Sequence, residues 1–214
     1  MVLVNYPRVT EVLRPYTSYE HVPSDILARA AARGTAVHAL CAGIAKGAWI
    51  PDTMIAEEYL GYVTSFRKWT EAQVKEFIII ERRYTNEEDE YTGQVDLVMI
   101  GNENELYLVD LKTSSKPQKT YPVQMSAYER LLLSQGLKVK GCMVVYLHKD
   151  GNFPEIDYLE DLTQEYGVFI SALHCWKYFN RRKKDGRKNT SEIGRERTET
   201  YAQESLPENL SGDV

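Results

Sequence analysis

From Ile26 onward the apolar residues fall at helical spacing. Ile26, Leu27 and an alanine-rich run to Ala32 lead into Val37, Leu40, Cys41 and Ile44. This predicts a helix with Ser24 as its cap, Asp25 in its first turn and Gly47 as its stop. A second helix is predicted over about 55–70, with Tyr59, Tyr62, Val63 and Phe66 on one stripe. The pattern then changes to runs rich in β-branched and aromatic residues. Residues 74–84, 93–100 and 105–112 are predicted strands, with the acidic stretch 87–90 as an exposed turn and 101–104 as a hairpin loop. A helix over 122–135 follows, with Pro122 in its first turn and Gly136 past its end. A strand over 140–147, a short strand near 155–159 and a helix over about 162–180 complete the pattern. That last helix carries Phe169, Ile170, Leu173, Trp176 and Phe179, which read as core.

Helices interleaved with a mostly antiparallel run of strands predict an α/β architecture, a central mixed sheet with helices on both faces. Apolar content collapses after Asn180. Residues 181–197 hold eight basic and three acidic residues, and 198–214 hold four acidic residues and no basic ones. The expected organisation is one domain over 1–180 and a flexible basic-then-acidic tail over 181–214.

Composition narrows the class. No apolar run approaches the roughly 20 residues that span a bilayer. The first residues lack the pattern of a signal peptide. Three cysteines without CxxC spacing supply neither a disulfide framework nor four thiolates for a cluster, so a reducing cytoplasm is the expected compartment. The net charge of −5 argues mildly against a polyanionic partner, yet it averages unlike segments. The run Arg181, Arg182, Lys183, Lys184 sits in a segment of charge +5 and is a candidate contact for a phosphate backbone.

The candidate chemistry lies in the second predicted hairpin. Asp96 is in one strand, and Asp110 and Lys112 are two apart in the next. Side chains alternate across a strand, so Asp110 and Lys112 share a face with Leu106 and Leu108. Opposite charges ending an apolar strand lose hydration unless they are paired or bound to metal. Two carboxylates one strand apart suit a hard divalent cation held through oxygen. Such an ion polarises a phosphate oxygen and acidifies water, and a neighbouring lysine orients or deprotonates that water. The set suffices to hydrolyse a phosphodiester.

At this point the chain resembles a known family. Gly93-Gln-Val-Asp96, thirteen residues, then Asp110-Leu-Lys112 resembles the signature of the PD-(D/E)XK nuclease superfamily. Gly34-Thr-Ala-Val-His38 is similar to the helix histidine of RecB-type nucleases. Gln124-Met-Ser-Ala-Tyr128 is similar to their Q-x-x-x-Y motif, whose two side chains share a helix face. The resemblance covers about residues 10–150 and implies a restriction-endonuclease-like αβββαβ core with extra terminal helices.

The resemblance also implies roles. Asp96, Asp110, His38 and the main-chain carbonyl of Leu111 would hold Mg²⁺ or Mn²⁺, one ion or two, with Glu81 as a further candidate ligand. Lys112 would act on the attacking water, while Gln124 and Tyr128 position substrate or lysine. Some relatives carry four cysteines for an iron–sulfur cluster. This chain lacks them, so no cluster is expected. The implied activity is a DNA exonuclease acting on ends or single strands, with recombination or replication proteins as candidate partners. An endonuclease of restriction, repair or junction type and a non-catalytic DNA-end-binding module are the alternatives.

Overall fold

The computed structural model describes residues 6–17, 19, 21–114 and 117–180. The chain divides into two units, Met1–Trp176 and Lys177–Val214. The expected tail over 181–214, including Arg181–Lys184, lies outside the described residues.

A short helix α1, Val9–Leu13, comes first. The periodicity does not announce it, because five residues carry little more than one turn. Its start is fixed locally: the Glu11 carboxylate accepts the Arg8 backbone N–H at 2.9 Å and ion-pairs with the Arg8 guanidinium. Helix α2, Ser24–Ala45, opens at the residue expected to cap it, one position earlier than predicted. Pro23 holds the cap position and Ser24 is the first helical residue, with no side-chain cap bond. Proline's restricted φ sets the entry direction instead. Gly47 ends the helix region at φ 82, where a residue with a Cβ is strained. Helix α3, Glu57–Gln73, buries Tyr62, Val63, Phe66 and Trp69.

Strands β1 (Val74–Asn86), β2 (Tyr91–Gly101), β3 (Leu106–Lys112), β4 (Gly141–Tyr146) and β5 (Glu155–Leu159) form one sheet in that order. Neighbours are antiparallel except β3 and β4, which are parallel and joined through helix α4, Thr120–Ser134. The sheet is therefore mixed, as a crossover helix between parallel strands requires. Helix α5 spans Thr163–Asn180.

Two apolar layers cover the sheet. On one face Val9, Val12, Met125, Leu131, Phe169 and Leu173 pack with Val95, Val98, Leu108 and Val144. On the other, Val37, Cys41, Phe66 and Trp69 pack with Leu97, Met99, Val109, Leu111 and Val145. So α1, α4 and α5 share one face, and α2 and α3 share the other. Phe179, expected in the core, is exposed at the end of α5. It lies ten residues beyond Phe169, past the part of α5 that reaches the core.

Besides two register shifts early in β1, between Val74 and Glu76 and between Phe77 and Ile79, the sheet is irregular at a place that positions the site. Along β2, Val95 belongs to the α4 layer, yet Leu97 belongs to the α2 layer and Val98 to the α4 layer again. Alternation breaks at Asp96, while the register to β1 is kept across it. On β1 the partners of Leu97 and Val95 are Ile80 and Arg82, so Glu81 lies opposite Asp96. Glu81 has φ 48, a left-handed conformation rarely adopted by a glutamate. The β2–β3 ladder begins only at Leu97–Val109. Beyond it the freed edge of β2 is taken by the N-terminal segment, whose Pro7 carbonyl accepts the Thr92 N–H at 2.9 Å.

Candidate active site

Where β2 leaves β3, side chains from both faces converge. Asp96 Oδ2 accepts the Leu111 N–H at 3.0 Å, satisfying a backbone donor left open by the missing ladder. The Leu111 carbonyl accepts from His38 Nε2 at 2.9 Å. A carbonyl only accepts, so Nε2 carries the proton and Nδ1 is left facing the acids. Nδ1 lies 3.4 Å from Asp96 Oδ2 and 3.6 Å from Glu81 Oε1. The other Glu81 oxygen accepts from the Gln94 amide.

A second group gathers on the α4 side. Lys112 Nζ lies 2.6 Å from Asp110 Oδ2, and Gln124 Nε2 donates to Asp110 Oδ1 at 2.9 Å. The same amide nitrogen gives its other hydrogen to the Tyr128 hydroxyl at 3.2 Å, while Gln124 Oε1 accepts from Lys112 at 3.4 Å. The Lys112 ammonium also lies 4.5 Å from the centroid of the Tyr121 ring. Gly93 makes room for this group. A Cβ there would fall 2.7 Å from Tyr128 Cε1 and 2.8 Å from Leu131 Cδ1.

The electrostatics follow from burial and proximity. Burial disfavours the charged imidazole of His38, but Asp96 and Glu81 outweigh it and raise the pKa to about 11. Burial also works against ionisation of Asp96, yet His38, Lys112 and the Leu111 N–H hold its carboxyl below the usual range. Asp110 moves the other way: burial and the nearby Asp96 charge raise it despite Lys112. Two carboxylates sharing a small site split in this manner. Lys112 loses hydration, but Asp110 and Asp96 keep it charged above the ordinary lysine value. Burial pushes the Tyr128 hydroxyl up as well.

The structure thus brings His38, Glu81 and Asp96 together, with one ligand atom from each within 4.8 Å of the others. Asp110 is not one of these three; its oxygens face Gln124 and Lys112. The buried Asp110 Oδ2 has the Lys112 charge beside it but no hydrogen bond of good geometry. One imidazole nitrogen, carboxylate oxygens and a carbonyl oxygen fit a hard divalent cation. Two contributors escaped the sequence reading. Gln94 stands inside the quoted Gly-Gln-Val-Asp run, so its position was visible though its role was not. Tyr121 carries no sequence signal, because its contact with Lys112 arises only when α4 docks.

A mixed five-stranded sheet between helices, with an acidic centre and a lysine where two strands part, is the restriction-endonuclease-like arrangement of a metal-dependent nuclease. The family comparison agrees. A model of the PD-(D/E)XK nuclease superfamily matches residues 12–208, and the chain belongs to that superfamily. The match runs past the resemblance at 10–150 and through most of the C-terminal segment. No curated protein matches the chain. Members of the superfamily use divalent metal ions. Among the described residues no helix is long and apolar enough to cross a membrane.

Proposed function

We propose that the chain is a Mg²⁺- or Mn²⁺-dependent DNA exonuclease of the RecB-type branch, acting on ends or single strands. The observation that carries this reading is His38. A helix outside the strand core delivers its imidazole onto Leu111 and against Asp96 and Glu81, where a RecB-type metal ligand belongs. The arrangement of Gln124 and Tyr128 around Asp110 and Lys112 supports it further.

In this reading His38, Glu81, Asp96, Asp110 and the Leu111 carbonyl hold the cation, which when bound polarises the phosphate and lowers the pKa of water. Gln94 occupies one Glu81 oxygen and leaves Oε1 facing His38. Gln124 fixes Asp110 and Lys112 relative to each other, with Tyr128 closing the network. Lys112, held as an ammonium by two carboxylates, donates to the attacking water or to a phosphate oxygen and offsets the charge that builds there. The products would be a 5′-phosphate and a 3′-hydroxyl. Recombination or replication proteins remain the candidate partners, and the cytoplasm the expected compartment.

The test is incubation of the purified chain with end-labelled linear single- and double-stranded DNA and with a closed circle, in Mg²⁺, Mn²⁺ or EDTA. Metal-dependent loss of linear DNA, a spared circle and an inactive Lys112→Ala variant are expected. Cleavage of the circle would turn the reading to an endonuclease. Binding of ends without cleavage would turn it to a non-catalytic module.

A further inference from the structure

Past the break at Glu81 and Asp96, the β1–β2 hairpin has two unlike faces. Towards α4 it presents Tyr84, Tyr91, Gly93 and Val95, all packed or closely approached. Towards α2 the apolar layer stops at Ile80 and Leu97. The residues that follow on that side are polar: Arg83 opposite Gln94 and Thr85 opposite Thr92. Arg83 and Gln94 are exposed. An antiparallel ribbon with one packed and one solvated face normally needs no explanation. Here the solvated face begins at the metal centre.

The contacts tie it to that centre. Gln94 donates to the Glu81 carboxylate with one end of its amide and accepts from Arg83 Nη2 at 3.4 Å with the other. Among the described residues this long bond is the only hydrogen bond of the Arg83 guanidinium, which is exposed and otherwise acts on Glu11 through its charge. Its neighbour Arg82 differs. It pairs opposite Val95 on the other face and lies over the Tyr84 ring at 5.3 Å.

We propose that the α2-facing side of this hairpin is the track of the nucleic-acid backbone beside the metal centre, and that Arg83 grips a phosphate neighbouring the one being cut. A planar guanidinium two residues from a metal ligand, in an otherwise acidic chain, supplies the bidentate donor pair a phosphate needs. The Gln94 bridge aims it. The acidic turn at 87–90 limits the track to the inner part of the hairpin, since phosphate is repelled at its tip. This inference rests on the nuclease reading and adds a substrate contact to it.

The test compares Arg83→Ala, Arg83→Lys and Arg82→Ala in the full chain. Both arginines are exposed, so folding is checked by circular dichroism. Arg83→Ala is expected to weaken binding of a fluorescent linear DNA oligonucleotide about tenfold and to lower the slope of log affinity against log salt by about 1. It should raise KM with kcat nearly unchanged. Arg83→Lys should restore the salt slope and part of the affinity, and Arg82→Ala should match wild type. If wild type cuts DNA but Arg83→Ala binds it as Arg82→Ala does, with the same salt slope, the track is wrong and the nuclease reading stands. If wild type neither binds nor cuts DNA with any divalent metal, both fall.

Discussion

The two sides of the sheet treat their carboxylates differently. On the α2 side, His38, Glu81 and Asp96 stand at 3.4–3.6 Å, long for hydrogen bonds. On the α4 side, Asp110, Lys112 and Gln124 close up at 2.6 and 2.9 Å. The first group is a loose set of donor atoms with space between them. The second is a close network around a charged lysine. The difference separates two tasks: taking up a cation, and holding a charged lysine in one place for the attacking water. One strand break serves both, because it turns Asp96 towards α2 and leaves Asp110 towards α4.

The largest effects should come from removing a charge on either side. Asp96→Asn keeps an oxygen for the Leu111 N–H but loses the carboxylate, and Lys112→Ala loses the ammonium. Each should lower kcat/KM about a thousandfold, near 4 kcal/mol of transition-state stabilisation. The reasons differ, and a metal titration separates them. In Asp96→Asn the rise in melting temperature on adding Mn²⁺ should vanish, whereas Lys112→Ala should keep it. Equal loss in both would erase the distinction between the sides.

Next comes Gly93→Ala, which strikes the α4 side alone. The added Cβ meets Tyr128 and Leu131 inside the core, so a cost of about 2 kcal/mol is expected from thermal unfolding. Activity should fall with it while Mn²⁺ affinity holds, since the displaced ring carries Gln124 and not His38.

A smaller effect concerns pH and the α2 side. The folded pKa of His38, about 11, lies above the free value of 6.5. The stability it contributes is therefore complete below the free value and is lost as pH rises towards the folded one. In EDTA, urea midpoints should fall from neutral to alkaline pH more steeply for wild type than for His38→Ala. Parallel curves would show that the imidazole is not held charged by Asp96 and Glu81. The smallest effect is expected for Tyr128→Phe. It removes one acceptor of the Gln124 amide at 3.2 Å and should cost a few-fold in kcat.

Most of the fold was legible because it rests on periodicity. The β-rich runs mark all five strands, and β5 spans Glu155–Leu159 as expected. What escaped is short or non-periodic. Helix α1 offers five residues, and the start of α2 turns on Pro23, where the sequence pattern pointed to Ser24 as the cap. The site shows the same division. Asp96, Asp110, Lys112, His38, Gln124 and Tyr128 stand out as residue types at fixed spacing. The rotation of Asp96 towards α2 does not, because a strand break leaves no period to read. Glu81 was a further candidate ligand by resemblance alone; its left-handed φ and the register that sets it opposite Asp96 were not legible. The resemblance to a known family supplied the roles, and the structure supplied which groups meet.

The central claim is that the cation depends on the α2-side group, with Asp110 completing its ligands, and does not depend on the α4-side lysine. Mn²⁺ binding followed by electron paramagnetic resonance tests it most directly, using wild type, Asp96→Asn and Lys112→Ala at equal concentration. The account predicts binding by wild type and Lys112→Ala and none by Asp96→Asn, with cleavage by wild type alone. Binding retained by Asp96→Asn, or lost by Lys112→Ala, would contradict it.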